Sequence, residues 1–229
     1  MGDIKNYEHP YVTVDGVILK ASYGVSDSLR SSEMKWDILL VQRDKEPQKG
    51  SWSLPGGFVD IDKELDEVLL KKIFQKTGLV NYYMEQLKTF GALNRDERGR
   101  VITVAYIILL HEYRDKLPEN AKWFTIDGNK LVSEDEEIYL EDMAFDHNQI
   151  IAEALERIKG KIWYSNIVPY LLPQEFTIKE AQDLYELAEG KRTDSFQRKL
   201  GNRVIQVENK QIDTKGRPAK VYRWNRNFS

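Results

Sequence analysis

Cysteine is absent from the 229-residue sequence, and this absence removes several kinds of chemistry. Without thiols the chain has no disulfide bond, no thiolate zinc site and no cysteine nucleophile. Long apolar runs are missing too, since no stretch approaches the roughly 20 apolar residues of a membrane-spanning helix. The opening MGDIKNYEHP has acids and a proline where a signal peptide would have a basic start and an apolar run. We therefore expect a soluble, cytoplasmic protein with no membrane partner.

Charge is unevenly distributed along the chain, although the net charge is only −3. Residues 191–229 hold 11 Lys and Arg against 3 Asp and Glu, whereas residues 1–160 hold 21 against 29. A basic end on an acidic chain favours a polyanionic partner for that end. On charge alone, a solvated surface is an equally good explanation.

The first 160 residues combine strand and helix patterns, which predicts a mixed α/β domain. Apolar, β-branched segments predict strands at residues 11–20, 37–42, 82–90 and 101–110. The polar segment 26–35 between the first two is predicted to be a hairpin tip. Leu65, Val68, Leu69 and Ile73 recur with helical spacing, and Gly78 is a plausible end for that helix.

The boundary between two domains is predicted near residue 160. The acidic segment 131–149 is expected to be a surface loop leading to a helix that ends at Gly160, with Asp146 as its candidate N-cap. Residues 160–175 contain two prolines and mark a change in the sign of the charge. We therefore predict one domain at residues 1–160 and a second at residues 161–229.

The segment from Gly57 to Leu79 has the glycine spacing of the Nudix box, and the flanking WSLPGGF, QRD and TGL also resemble the Nudix family. In that family, glutamates on the central helix bind divalent metal ions that promote diphosphate hydrolysis. The corresponding positions here carry no carboxylate: they are Lys63, Lys71, Lys72, Gln75 and Lys76.

Lysine cannot replace a carboxylate ligand, because Mg²⁺ needs anionic oxygens and an ammonium group repels the ion. Glu64 lies one residue out of register, roughly 100° around the helix. We therefore predict no bound metal, no cofactor and no metal-dependent hydrolysis through this box.

The segments GALNRDERGRVITVAY and MAFDHNQIIAEALERIKGKIWYS resemble those of Nudix-related transcriptional regulators, the NrtR family. The resemblance implies an ADP-ribose or sugar-derived effector. Guanidinium groups suit phosphates, glycines allow close backbone approach, and an aromatic ring can stack on a base. The candidate ligand residues are Arg43, Gly56, Gly57, Phe58, Arg95, Arg100 and His147. A solvated hairpin tip would also explain Arg95 and Arg100, and a place beside a helix start would explain His147.

The basic end has the pattern of a winged helix-turn-helix. Thr177 and Glu180 form a predicted capping box, Gly190 ends that helix, and a second helix is expected from Thr193 or Asp194 to beyond Leu200. VIQVE and KVYRWN look like a strand pair joined by the basic turn NKQIDTKGRPA. Predicted base contacts come from Gln197 and Arg198, with Ser195 beside them on the outward face of that helix. Predicted phosphate contacts come from Lys191, Arg192, Lys199, Arg203, Lys215, Arg217 and Lys220.

The resemblance covers nearly the whole chain and implies a fold and a function. The expected fold is α/β (α+β), a Nudix-like mixed-sheet α/β/α sandwich followed by a small winged helix-turn-helix domain. The expected function is that of a homodimeric repressor which binds double-stranded operator DNA and senses a metabolite. Two alternatives stay open: a diphosphohydrolase using carboxylates outside the box, and an adaptor whose winged helix binds protein.

Overall fold

A nine-stranded mixed sheet forms the centre of the N-terminal part of the molecule. The computed structural model describes residues 8–23, 33–79, 82–112, 116–212 and 217–225. The strands are β1 (Tyr11–Tyr23), β2 (Met34–Gln42), β3 (Trp52–Ser53), β4 (Gly56–Phe58), β5 (Tyr83–Phe90), β6 (Val101–Leu109), β7 (Ala121–Asp127), β8 (Lys130–Val132) and β9 (Glu137–Tyr139). Their order is β5-β6-β1-β2-β7-β8-β9, with β3 beside β2 and β4 beside β1. Strands β1 and β6 run parallel, and the other pairs described are antiparallel.

One long helix covers each face of this sheet. Helix α1 (Leu65–Thr77) buries Val68, Leu69 and Ile73 against one face, and α2 (His147–Lys161) packs on the other. Successive β1 side chains alternate between these two cores, so that Ile18 faces α1 while Val17 and Leu19 lie on the α2 side. The predicted α/β/α sandwich is confirmed.

The C-terminal part has the predicted winged helix-turn-helix fold. It comprises β10 (Phe176–Thr177), α3 (Ile178–Glu189), α4 (Phe196–Leu200), β11 (Val204–Ile212) and β12 (Ala219–Trp224), with a sheet order of β10-β12-β11. Thr177 and Glu180 form the predicted capping box, and Gly190 ends α3 in the left-handed conformation. No helix in the described ranges is long and apolar enough to cross a membrane.

The winged helix packs directly against the segment that follows α2, through an aromatic cluster, and against the end of β1. The Trp163 ring centroid lies 4.3 Å from that of Tyr185 on α3 and 5.9 Å from that of Phe196 on α4. At another contact, the Tyr23 hydroxyl at the end of β1 donates a 2.9 Å hydrogen bond to Asp183 of α3. The hydrophobic core therefore runs without interruption from the sheet into the winged helix, and a boundary at residue 160 stays a prediction.

Some predicted elements differ from the structure. Helix α4 begins at Phe196 and not at residues 193–194, because Thr193 hydrogen-bonds to Glu186 and Glu189 of α3. Its α-helical part stops at Leu200 and is followed by a 3-10 turn over Gly201–Arg203.

Two segments predicted as loop or turn instead extend the sheets. The acidic segment contains β9 and most of β8, and β11 extends to Ile212 within the predicted basic turn. In the acidic segment, Leu131 is buried and Ile138 is half-buried, which gives these short strands an apolar side. The predicted hairpin tip lies largely in residues 24–32, which are outside the described residues.

Candidate functional site

A cleft of about 450 Å³ lies between strands β1, β3 and β4, helix α1 and the start of α2. Six of the seven predicted ligand residues line it: Arg43, Gly56, Gly57, Phe58, Arg95 and His147. The seventh, Arg100, lies outside the lining and donates hydrogen bonds to the carbonyls of Gly91 and Ala92 at 2.6 and 3.0 Å. In this structure Arg100 therefore braces its own turn and does not face the cleft.

Gly56 permits the close approach of β4 to β1. A Cβ atom at this position would lie 2.2 Å from the Val14 carbonyl oxygen and 2.3 Å from an Asp15 carboxylate oxygen. Neither distance is possible for real non-bonded atoms, so a side chain at position 56 would force the two strands apart. The absence of a side chain at Gly56 therefore allows β4 to lie this close to β1 beneath the cleft.

Arg95 is held by Asp146 at the entrance to α2. Its guanidinium donates hydrogen bonds of 2.9 and 2.7 Å to the two carboxylate oxygens, and both side chains are buried. This contact explains why Asp146 stands at the N-cap position of α2 without capping it: its carboxylate is turned toward Arg95 instead. Arg95 thus fastens the turn after β5 to α2, a role that the sequence did not indicate.

Arg43, Arg98, Phe58 and Phe145 form a stack of alternating cations and rings at the cleft. The Arg98 guanidinium carbon lies 5.0 Å from the Phe58 ring centroid and 5.6 Å from that of Phe145, and the Arg43 carbon lies 4.7 Å from Phe145. Burial, and next the charge of Arg98, lowers the pKa of Arg43. The stack therefore offers positive charge beside flat apolar surfaces.

Arg98 and Phe145 were missed by the sequence analysis. Arg98 forms a bidentate pair with Asp96 at 2.9 and 2.6 Å, and this hydrogen bonding lowers the pKa of Asp96. Phe145 has a φ of 56°, and its amide donates to the Gln48 side chain at 2.9 Å. Arg98 stood visibly in the segment NRDERGR, but nothing in the sequence indicates the left-handed backbone that places the Phe145 ring.

His147 lies at the back of the cleft with a defined hydrogen-bond pattern. Its Nδ1 accepts the Leu54 amide at 3.0 Å, while its Nε2 lies 3.9 Å from Asp15. Burial lowers the pKa of His147, and because Nδ1 is the acceptor, the neutral ring carries its proton on Nε2. Asp15 in turn accepts a 2.6 Å hydrogen bond from Thr103.

Two α1 lysines, Lys72 and Lys76, also line the cleft. The Lys76 ammonium donates a 2.7 Å hydrogen bond to the Gly56 carbonyl, and burial lowers its pKa. Lys63, Lys71 and Gln75 are exposed and are not part of the lining. The described residues include no group of three His, Asp or Glu side chains that could hold a metal ion.

The candidate DNA-binding surface comprises α4, the preceding turn and the strand pair β11–β12. Eight of the predicted side chains are exposed: Lys191, Arg192, Ser195, Gln197, Arg198, Lys199, Arg217 and Lys220. Lys215 lies outside the described residues. Phe196 and Leu200 are buried, which turns Gln197, Arg198 and Lys199 outward as predicted.

Arg203 was predicted to contact phosphate, but the structure gives it another role. Its guanidinium is half-buried and donates a hydrogen bond to the carbonyl of Trp163. This contact joins the 3-10 turn after α4 to Trp163, which belongs to the aromatic cluster with Tyr185 and Phe196. Arg203 consequently supports the position of the winged helix.

Comparisons with known proteins match both parts of the chain. A Nudix domain model matches residues 26–154, and a model of the NrtR DNA-binding winged helix domain matches residues 168–224. The chain is 32% identical to the ADPR responsive transcriptional repressor NtrR of Acinetobacter baylyi, over 96% of this chain and 84% of that protein. It is 31% identical to Shewanella oneidensis NrtR crystallised with a 27mer DNA, with a TM-score of 0.71 and 93% of each chain covered.

An enzyme is also among the similar proteins. The ADP-ribose pyrophosphatase of Methanocaldococcus jannaschii is 31% identical over 69% of this chain and 82% of its own length. This match does not extend over the whole chain, whereas the matches to the two regulators cover more than nine-tenths of it.

Proposed function

The chain belongs to the NrtR family of Nudix-domain transcriptional regulators, and we propose that it is a repressor whose operator binding is controlled by ADP-ribose or a related phosphorylated sugar. The observation that carries this proposal is similarity to a repressor along both the Nudix part and the winged helix. The genes it controls would be those of NAD or sugar metabolism. Acting on chromosomal DNA, it would work in the cytoplasm.

The chemistry of the cleft supports a ligand with phosphates and a planar base. Arg43 and Arg98 supply guanidinium groups, and Phe58 and Phe145 supply ring faces for stacking. Arg95 and His147 would act by holding the cleft in shape, since both side chains are buried, Arg95 is paired with Asp146, and His147 accepts the Leu54 amide.

On the DNA side, we propose that α4 enters the major groove. Gln197 and Arg198 would read base edges, and the exposed basic residues around them would contact phosphates. A homodimer would place two such helices on the half-sites of a palindromic operator. Lys215 and Arg217 remain proposed phosphate contacts in the wing.

We do not propose that the chain is a hydrolase. The Nudix-box positions that would bind metal carry four lysines and a glutamine, and two of those lysines face the cleft. The pyrophosphatase relative is the specific observation in favour of the enzyme alternative. Release of AMP and ribose 5-phosphate from ADP-ribose at an ordinary enzymatic rate with Mg²⁺ would establish that alternative.

The proposal is tested by fluorescence anisotropy with duplex DNA from the region upstream of the gene encoding this chain. We expect salt-dependent binding of the full chain, and release when ADP-ribose is added; ribose 5-phosphate is the second probe, for a related phosphorylated sugar as effector. Arg198→Ala should weaken binding by about 1–3 kcal/mol. Lys71→Ala, which removes an exposed charge from α1, serves as the matched control and should bind normally. Equal binding by both variants would favour the adaptor alternative.

A further inference from the structure

We infer that the ammonium groups of Lys72 and Lys76 take the place of divalent cations in the cleft and bind the diphosphate of the ligand directly, without metal. This inference rests on the proposed function and extends it to the means by which the ligand is held. It follows because lysines stand at positions of the Nudix box where the Nudix family has metal-binding glutamates.

The positions of the two lysines on α1 support this role. They are four residues apart, so their side chains lie on the same helix face, one above the other. Both line the cleft, whereas Lys71, beside Lys72 in the sequence, is exposed on another face. Helix α1 thus presents two cations to the cleft and directs other charges toward solvent.

The contacts of these ammonium groups leave donors available. The Lys76 ammonium donates one hydrogen bond, to the Gly56 carbonyl, and an ammonium group has three donors. The Lys72 side chain passes over Gly57, where its Cε would lie 3.1 Å from an added Cβ. The absence of a side chain at Gly57 therefore makes room for the Lys72 side chain.

The two ammonium groups lie in a cleft whose lining carries both signs of charge. In the described part of the chain, neither ammonium group forms a salt bridge with a carboxylate. Burial lowers the pKa of Lys76. Among the neighbouring charges, Asp15 has the largest effect and opposes this shift, while the charges of Lys72 and Arg43 add to it. An entering diphosphate would relieve the repulsion between the two cations and neutralise them, as a metal-bound diphosphate is neutralised in a Nudix enzyme.

The test is isothermal titration calorimetry of the full chain with ADP-ribose, in EDTA and in Mg²⁺. We expect the affinity in EDTA to equal or exceed that in Mg²⁺, since Mg²⁺ competes for the phosphates. Lys72→Met and Lys76→Met keep the aliphatic stem and should each weaken binding about tenfold. Lys71→Met is the matched control and should bind as the unmodified chain does.

Several outcomes would overturn the inference. Binding that requires Mg²⁺, or equal affinity in all three methionine variants, would show that the lysines do not replace a metal. Lys72→Arg should retain most of the affinity. The melting temperature of each variant shows whether it is folded, so a loss of ligand binding can be told apart from a loss of folding.

Inorganic pyrophosphate is the second probe, because it distinguishes failure of the inference from failure of the proposed function. Lysine-dependent binding of pyrophosphate without binding of ADP-ribose would sustain the inference and contradict the proposed effector. If neither anion binds, the inference is wrong and ADP-ribose is not the effector.

Discussion

Substituting Arg95 should lower the free energy of unfolding substantially, because Arg95 holds Asp146 in a buried ion pair. In Arg95→Met the aliphatic stem stays, but the Asp146 carboxylate loses two charge-assisted hydrogen bonds at a site where both side chains are buried. Breaking a buried pair from one side typically costs about 3–5 kcal/mol, because the remaining charge is left without compensation. Since domains are stable by roughly 5–15 kcal/mol, this is a large part of the total.

The measurement is urea denaturation followed by circular dichroism at 25 °C. We expect the midpoint to fall with little change in the slope, since the surface exposed on unfolding is the same. The double variant Arg95→Met with Asp146→Leu removes both charges and should recover about 2 kcal/mol or more. Arg100→Met, which loses only two exposed hydrogen bonds to carbonyls, is the matched control and should lose less than about 1 kcal/mol.

The opposite pattern would refute this reasoning. If Arg95→Met folded with nearly unchanged stability and lost only its affinity for ADP-ribose, Arg95 would be a direct phosphate ligand, as the sequence had suggested. The pairing with Asp146 would then be a resting contact that the ligand replaces.

Two further predictions concern the same cleft. Gly56→Ala should lower the free energy of unfolding by about 1–3 kcal/mol in thermal denaturation and weaken ADP-ribose binding, because β4 must move away from Val14. The control is Gly160→Ala, whose added Cβ meets nothing within 4 Å and should cost no stability. Equal losses of stability in the two variants would contradict the close approach of β4 to β1. Because burial lowers the pKa of His147, the unfolded chain binds the extra proton first as pH falls below about 6.5, so stability should decline by up to about 1.4 kcal/mol per pH unit in that range. His147→Gln should remove that part of the decline in urea denaturation at several pH values, and an unchanged profile would show that His147 does not cause it.

Local patterns predicted much of the fold. The helical spacing of Val68, Leu69 and Ile73 defined the buried face of α1, and Thr177 with Glu180 marked the start of α3. These features depend on residues a few positions apart, so the sequence displays them directly. The start of α4 depends on side chains of the preceding helix that bond to Thr193, and a pattern within α4 cannot reveal this.

The cleft was predictable in composition but less so in the role of each residue. Gly56 and Phe58 could be predicted as ligand residues because they lie in WSLPGGF, a segment that resembles the Nudix family. Whether an arginine faces a ligand depends on partners distant in sequence: Asp146 holds Arg95 from 51 residues away. The Nudix box shows which carboxylates are missing from α1, but it does not indicate that Lys72 and Lys76 could bind a ligand in their place.

Strand β1 connects the cleft to the winged helix by a stiff route. Asp15 and Tyr23 are eight residues apart on this strand, about 26 Å at the usual rise of an extended chain. Hydrogen bonds to β6 and β2 brace it along its length, and its far end contacts Asp183 of α3. A ligand that slid Asp15 along the strand axis would therefore shift Tyr23 by nearly the same distance, and a fluorinated tyrosine there would report the event by NMR.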